Sequence, residues 1–178
     1  MKILSVSERT VPLGSATRNA VISFSSMTAT AVTIEIETAN HRYHGLGFSS
    51  YGRYGHGGLL RERFIPRLLN APSRYFIDPE TDVFSMERFW NVLMQDEKPG
   101  GHGERSGAVG VLETAMWDAI AKSEGLPLWG LLERNFGHSK DQGLPSGQTK
   151  IYASGGQYGQ NGASSEAVAR ESSRAIEE

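Results

Sequence analysis

The amino-acid sequence predicts an α+β fold: an antiparallel sheet followed by packed helices. A strict period of two runs through Val32-Thr33-Ile34-Glu35-Ile36-Glu37, with three aliphatic residues on one face and polar ones on the other. From Leu60 onward the apolar spacing changes to that of helices with one buried side. With 178 residues the chain is long enough for one domain and a fraction of another, and for a core that needs no metal or disulfide staple.

The strands come first. One around Ile3 to Val11 stops near Pro12, which has no N–H to give to a ladder. A small-polar loop, Gly14 to Asn19, follows it. After the alternating strand, Ala39-Asn40 supplies a turn, and Tyr43 to Phe48 returns as the hairpin partner. In the helical part Leu60, Phe64 and Leu68 fall four apart, with Pro66 expected to kink or end that helix because it cannot bond to Glu62. Ser85 is an N-cap, flanked by Phe84 and Phe89 in the spacing of a hydrophobic staple. Met86, Phe89, Trp90, Leu93 and Met94 continue the stripe. A longer helix is expected from about Ser106 to Glu124, with Val109, Leu112, Met116, Ala119 and Ile120 inward and an Asp118/Lys122 pair outward. Gly125 and Pro127 end it, and Pro127 opens a short helix, Leu128 to Arg134. Trp90, Trp117 and Trp129 sit on or beside apolar stripes, which assigns all three to core packing. Beyond Phe136 the composition is that of a linker to Gln148, then a short strand Lys150 to Ser154, a loop, and a last helix capped by Ser164. That helix has no C-cap signal and finishes on acidic residues, which reads as a cut end.

Composition excludes several function classes. Eighteen basic and twenty acidic residues leave a formal charge of −2, so no electrostatic footprint for nucleic acid or an anionic membrane exists. No apolar run approaches the ~18 residues of a membrane span, and the start lacks a signal-peptide core, so the expected location is the cytoplasm. Cysteine is absent, which removes thiolate nucleophiles and Cys-based zinc sites.

Glycine is over-represented, with 21 residues. The stretch from Gly45 to Gly58, GLGFSSYGRYGHGG, joins a strand to a helix, but its spacing is neither G-x-G-x-x-G nor G-x-x-x-x-G-K-[ST]. It reads either as a plain loop or as one that closes over a small substrate. The densest set of functional side chains is Glu97-Lys98-Pro99-Gly100-Gly101-His102-Gly103-Glu104-Arg105. Pro99 forces Lys98 into an extended conformation, where its ammonium can serve as a point charge for a carboxylate or phosphate. A solvated charged turn is the alternative. His102 and Glu104 resemble the start of a zinc deaminase signature, which the missing cysteines exclude. His41 and His44 are three apart near a strand and point to opposite faces. There is no H-E-x-x-H or EF-hand loop, and Ser154 lacks a nucleophile elbow.

Taken together, Thr17-Arg18-Asn19-Ala20, GFSSYGRYGHGGLLRERF, EKPGGHGERSGAVGVLETAMWDAIAKSEGLPLWGLLERNFG and IYASGGQYG resemble the enolase superfamily. Within it they resemble the mandelate racemase/muconate lactonizing enzyme branch, and most closely the D-tartrate dehydratases. The resemblance implies an enolase-like N-terminal capping domain over residues 1–134, a three-stranded antiparallel meander followed by helices. A linker, 135–148, and the first strand and helix of an incomplete TIM-type barrel, 149–178, follow. Such enzymes abstract a proton α to a carboxylate, stabilise the ene-diolate with Mg²⁺, and expel a β-hydroxyl. The resemblance places the base lysine, the acidic Mg²⁺ ligands and a histidine on later barrel strands, so no catalytic or metal-ligating residue is expected in this chain.

What it carries over is substrate binding, at Asn19, Tyr51, Lys98 and Gln157. Tyr51 stands where the dehydratases have asparagine, and Gln157 where they have tyrosine. Both exchanges alter hydrogen-bonding reach, so the implied partner is a hydroxy-diacid or acid sugar as a class rather than D-tartrate itself. Homo-oligomers are also implied, with neither nucleic acid nor membrane as partner. The alternative is a stand-alone capping-type module that binds a carboxylate ligand or a partner protein and does no chemistry.

Overall fold

The computed structural model describes residues 1–18, 21–39, 41–50, 55–98 and 103–137, with a few positions between 164 and 173. Asn19, Tyr51 and Gln157, the expected linker from position 138 on and the expected barrel strand lie outside the described residues, while positions 135 and 136 belong to the helix Leu128–Phe136 rather than to the linker.

Strands β1 (Lys2–Pro12), β2 (Thr28–Thr38) and β3 (His41–Ser49) form an antiparallel meander in the order β1-β2-β3. The alternation read in β2 is what folds it, because Val32, Ile34 and Ile36 are fully buried on one face. Ile34 lies opposite Val6 on one side and Gly45 on the other. A register shift between Ile3 and Ser5 lets both Ile3, opposite Ile36, and Val6 pack against the core, although they are three residues apart. Ala39 takes a left-handed φ of 47° in the turn to β3.

The helices follow: α1 (Gly55–Leu59), a π turn (Leu60–Phe64), α2 (Ile65–Asn70), α3 (Met86–Met94), α4 (Glu104–Ser123) and α5 (Leu128–Phe136). Pro66 does not end its helix. The Ile65 N–H bonds back to the Leu60 carbonyl, five residues earlier, so a wider π turn precedes the proline. That turn contains Glu62, whose carbonyl the ring would otherwise crowd. Gly55 to Gly58 belong to α1 rather than to a loop. A side chain on Gly57 would strike Thr10 and Glu8 of β1, so this glycine serves packing. The cap of α3 forms as expected: Ser85 Oγ accepts from the Arg88 N–H at 3.3 Å, and the Phe84 and Phe89 rings lie 6.2 Å apart. Gly125, at φ 67°, and Pro127 separate α4 from α5, which runs on to Phe136.

Two expectations need correction. Trp129 is 58% exposed, because α5 buries only Leu131 and leaves Trp129, Leu132 and Phe136 on its open side. Trp90 and Trp117 do pack against the core. The Asp118/Lys122 pair does not simply face water. Asp118 Oδ2 accepts from the Leu46 N–H at 2.9 Å, and Lys122 Nζ donates to the His44 carbonyl at 3.0 Å and to Asp118 at 2.7 Å. The pair therefore satisfies the outer edge of β3, which would otherwise present unpaired backbone groups.

Helix α4 is buried on more than one side. Val109, Leu112, Met116, Ala119 and Ile120 are buried as expected, and Ala108, Val111, Ala115 and Ala121 are buried too. The second side rests on β3, where a methyl group on Gly45 would run into the Ala115 carbonyl and one on Gly47 into the Val111 carbonyl. Gly47→Ala is expected to destabilise the domain by roughly 2 kcal/mol or more in urea unfolding, since backbone on both sides must give way. Gly110→Ala, on an α4 position with open space around it, is expected to stabilise by about 0.5–1 kcal/mol through helix propensity alone. A stability ranking of the two variants in the opposite order would contradict this packing.

Candidate functional site

The strand register gathers the ends of several segments. Pro12 at the end of β1 pairs with Thr28 at the start of β2, and Thr30 pairs with Ser49 at the end of β3. The segment 13–27 and the continuation after Ser49 therefore leave from one end of the sheet. Helix α4 runs antiparallel to β3, because Gly47 meets Val111 and Ala115 while Gly45 meets Ala115 and Ala119. Its first turn, Gly103 and Glu104, thus sits at that same end. An open cavity of about 540 Å³ lies there, lined by Phe48, Ser49, Glu104, Gly107, Gly110 and Thr114.

Polar groups concentrate around this end. On β2 the buried face grades from Thr28 and Thr30 to Val32, Ile34 and Ile36. Thr30 shares a 2.9 Å hydroxyl hydrogen bond with Thr10, which also donates to Glu8. The Glu8 side chain is only 2% exposed and pairs with Arg61 of the π turn at 2.7 Å. His56, on α1, is 1% exposed and places Nε2 3.2 Å from Glu104 Oε2, tying the start of α1 to the start of α4. Burial holds the His56 imidazole below its ordinary pKa of 6.5, with Glu104 acting in the opposite sense.

Lys98 is exposed, three residues past the turn that ends α3. The residue before it is the most heavily paired in the domain. The Glu97 carboxylate, 4% exposed, meets Arg67 at 3.0 Å, Arg63 at 3.1 Å and Arg105 at 3.3 Å. Burial pushes its carboxyl up, but the hydrogen bonds from Arg67 and Arg105 and the charges of Arg63 and Arg67 outweigh that and leave it below its ordinary 4.5. Because Arg105 lies in the first turn of α4, the ion pair ties the residue before Lys98 to that helix end.

Of the four residues assigned to substrate from the sequence, only Lys98 is among those described. The described neighbours of two others, Arg18 beside position 19 and Ser50 beside position 51, belong to the segments that leave from this end. Sequence reasoning assigns no role to Glu8 or His56, and it names Glu97 without its arginine partners. Glu8 was findable, since it shares the parity of Val6 and Thr10 in β1. Arg63 and Arg67, at i and i+4, share a helix face, but no local signal says that they meet Glu97. Among the described residues no three or more His, Asp or Glu side chains gather to hold a metal ion. No helix among them is long and apolar enough to cross a membrane.

No protein-family model matches the sequence. Among solved structures, the chain is similar to a mandelate racemase/muconate lactonizing enzyme-like protein from Rubrobacter xylanophilus, with a TM-score of 0.43 and 17% identity. The match covers 71% of this chain and 32% of that one, so the chain spans about a third of its length.

The shifts of His56 and Glu97 each give stability a pH dependence. The unfolded chain protonates His56 near 6.5 while the folded chain resists, so the unfolded state binds more protons below that pH. Stability is expected to fall as pH drops below 6.5, and to fall further below 4.5 as the clamped Glu97 carboxylate is protonated. His56→Gln should flatten the upper part of this profile in urea midpoints measured from pH 7 to pH 4, and leave the lower part in place.

Proposed function

We propose that this chain is the substrate-binding capping portion of an acid-sugar or hydroxy-diacid dehydratase of the enolase superfamily, similar to the D-tartrate dehydratases. Lys98 is its carboxylate-binding cation. A lysine ammonium on a flexible stem suits a carboxylate held among other polar contacts. The first turn of α4 adds the positive end of a 20-residue helix, which favours an anion. Asn19, Tyr51 and Gln157 complete the binding set by the motifs quoted for the resemblance. The elimination itself, removal of the α-proton and loss of the β-hydroxyl as water, belongs in this reading to barrel groups, and no step is assigned to the described residues.

The single observation behind the reading is the convergence at one end of the domain. The end of β3 and the start of α4 line a cavity open to a small molecule, and the ion pair of Glu97 with Arg105 ties the residue before Lys98 to that same helix end. The reading as a plain solvated turn leaves that convergence without a role.

Calorimetric titration of the 178-residue chain with D-, L- and meso-tartrate tests it. Lys98→Ala is expected to weaken binding of the preferred isomer by about tenfold or more, the weight of one charge-assisted hydrogen bond, with Tm unchanged. Equal affinity in the variant would return Lys98 to the solvated turn. Water elimination by this chain in the presence of Mg²⁺ would overturn the assignment of binding alone.

A further inference from the structure

We propose that Glu97 is the positioning residue for Lys98: its buried carboxylate, clamped by three arginines, fixes the backbone from which the lysine reaches its ligand. The proposal rests on the reading of Lys98 as the carboxylate-binding cation.

The clamp draws on separate parts of the fold. Arg63 comes from the π turn, Arg67 from α2 and Arg105 from the first turn of α4. Arg67 also donates to the carbonyl of Leu93 in the last turn of α3, so the helix that leads into this segment is held by the same guanidinium. The Glu97 N–H bonds to the Met94 carbonyl at 3.1 Å, and Asp96 between them adopts a left-handed φ of 61°. Aspartate tolerates that region better than most residues, and here it turns the chain from the end of α3 into Glu97. Gly103, at φ 82°, turns the chain again before α4.

Stability alone is a poor account of this arrangement. Ion pairs taken out of water recover little net free energy, and apolar replacements of similar volume often do as well. What the three pairs supply is location. The Cα of Lys98 lies ~3.8 Å from that of Glu97 across one peptide. Fixing Glu97 at the junction of the α2, α3 and α4 ends therefore fixes the root of a side chain that is itself exposed and has many rotamers. The π turn fits the same account, since it carries Arg63 toward Glu97 and Arg61 toward Glu8.

Two readouts test the proposal on the whole chain. The first needs no ligand. In ¹⁵N relaxation the Lys98 amide of the native protein should be as ordered as α3, and in Glu97→Gln it should become mobile while the amides of β2 stay unchanged. The second is tartrate titration: Glu97→Gln should bind about tenfold more weakly, and Glu97→Asp should recover part of the loss. Leu131→Ala, a core deletion in α5 distant in sequence from the clamp, serves as a control for lost stability and should leave both readouts at native values. If Glu97→Gln does not fold, Glu97→Asp and Arg63→Gln carry the same comparison. An ordered Lys98 amide in the Glu97 variants, or an equal loss of affinity in Leu131→Ala, would overturn the proposal. If Lys98→Ala binds tartrate like the native chain, the reading of Lys98 fails, and the relaxation data still decide what Glu97 holds.

Discussion

Helix α4 lies directly on the backbone of β3, and the rest of the domain depends on that contact. Gly45 and Gly47 remove the side chains that would separate the two, and the helix answers with Ala115 and Ala119. The close approach aligns α4 antiparallel to β3 and brings its N-terminal turn to the end of the strand. It also places Asp118 and Lys122 where they can bond to the outer edge of β3. One packing decision thereby orients the longest helix, closes a sheet edge and sets two chain segments side by side.

The interior is graded along the strands. Toward the β2–β3 turn the buried face is aliphatic, whereas toward the opposite end it carries Thr28, Thr30, Thr10 and Glu8. His56 with Glu104, and Glu97 with its arginines, add to the polar end. Buried polar groups cost stability unless they are satisfied, and a domain of this size has a core able to supply a purely apolar interior. Their collection at one end separates an aliphatic half of the domain from a polar half.

The polar groups also act as struts between elements. Glu8 and Arg61 join β1 to the π turn, His56 and Glu104 join α1 to α4, and Glu97 joins the end of α3 to α2 and α4. Each is a directional contact, which an apolar contact is not, so together they specify how the segments at this end meet rather than merely that they do.

The meander, the α3 cap and staple, the α4 core stripe and the α4–α5 break were all legible in the sequence, because each follows from local periodicity or from the stereochemistry of one or two residues. Lys98 stands out in the sequence on a local ground as well, since the proline after it disfavours a helical backbone. The struts, the seat of α4 on two glycines, the open side of Trp129 and the π turn ahead of Pro66 were decided only by the tertiary structure. Those features depend on pairs far apart in the chain, Glu97 with Arg63, Gly47 with Val111, Leu46 with Asp118. Periodicity says which face of an element is buried, but not which other element it meets.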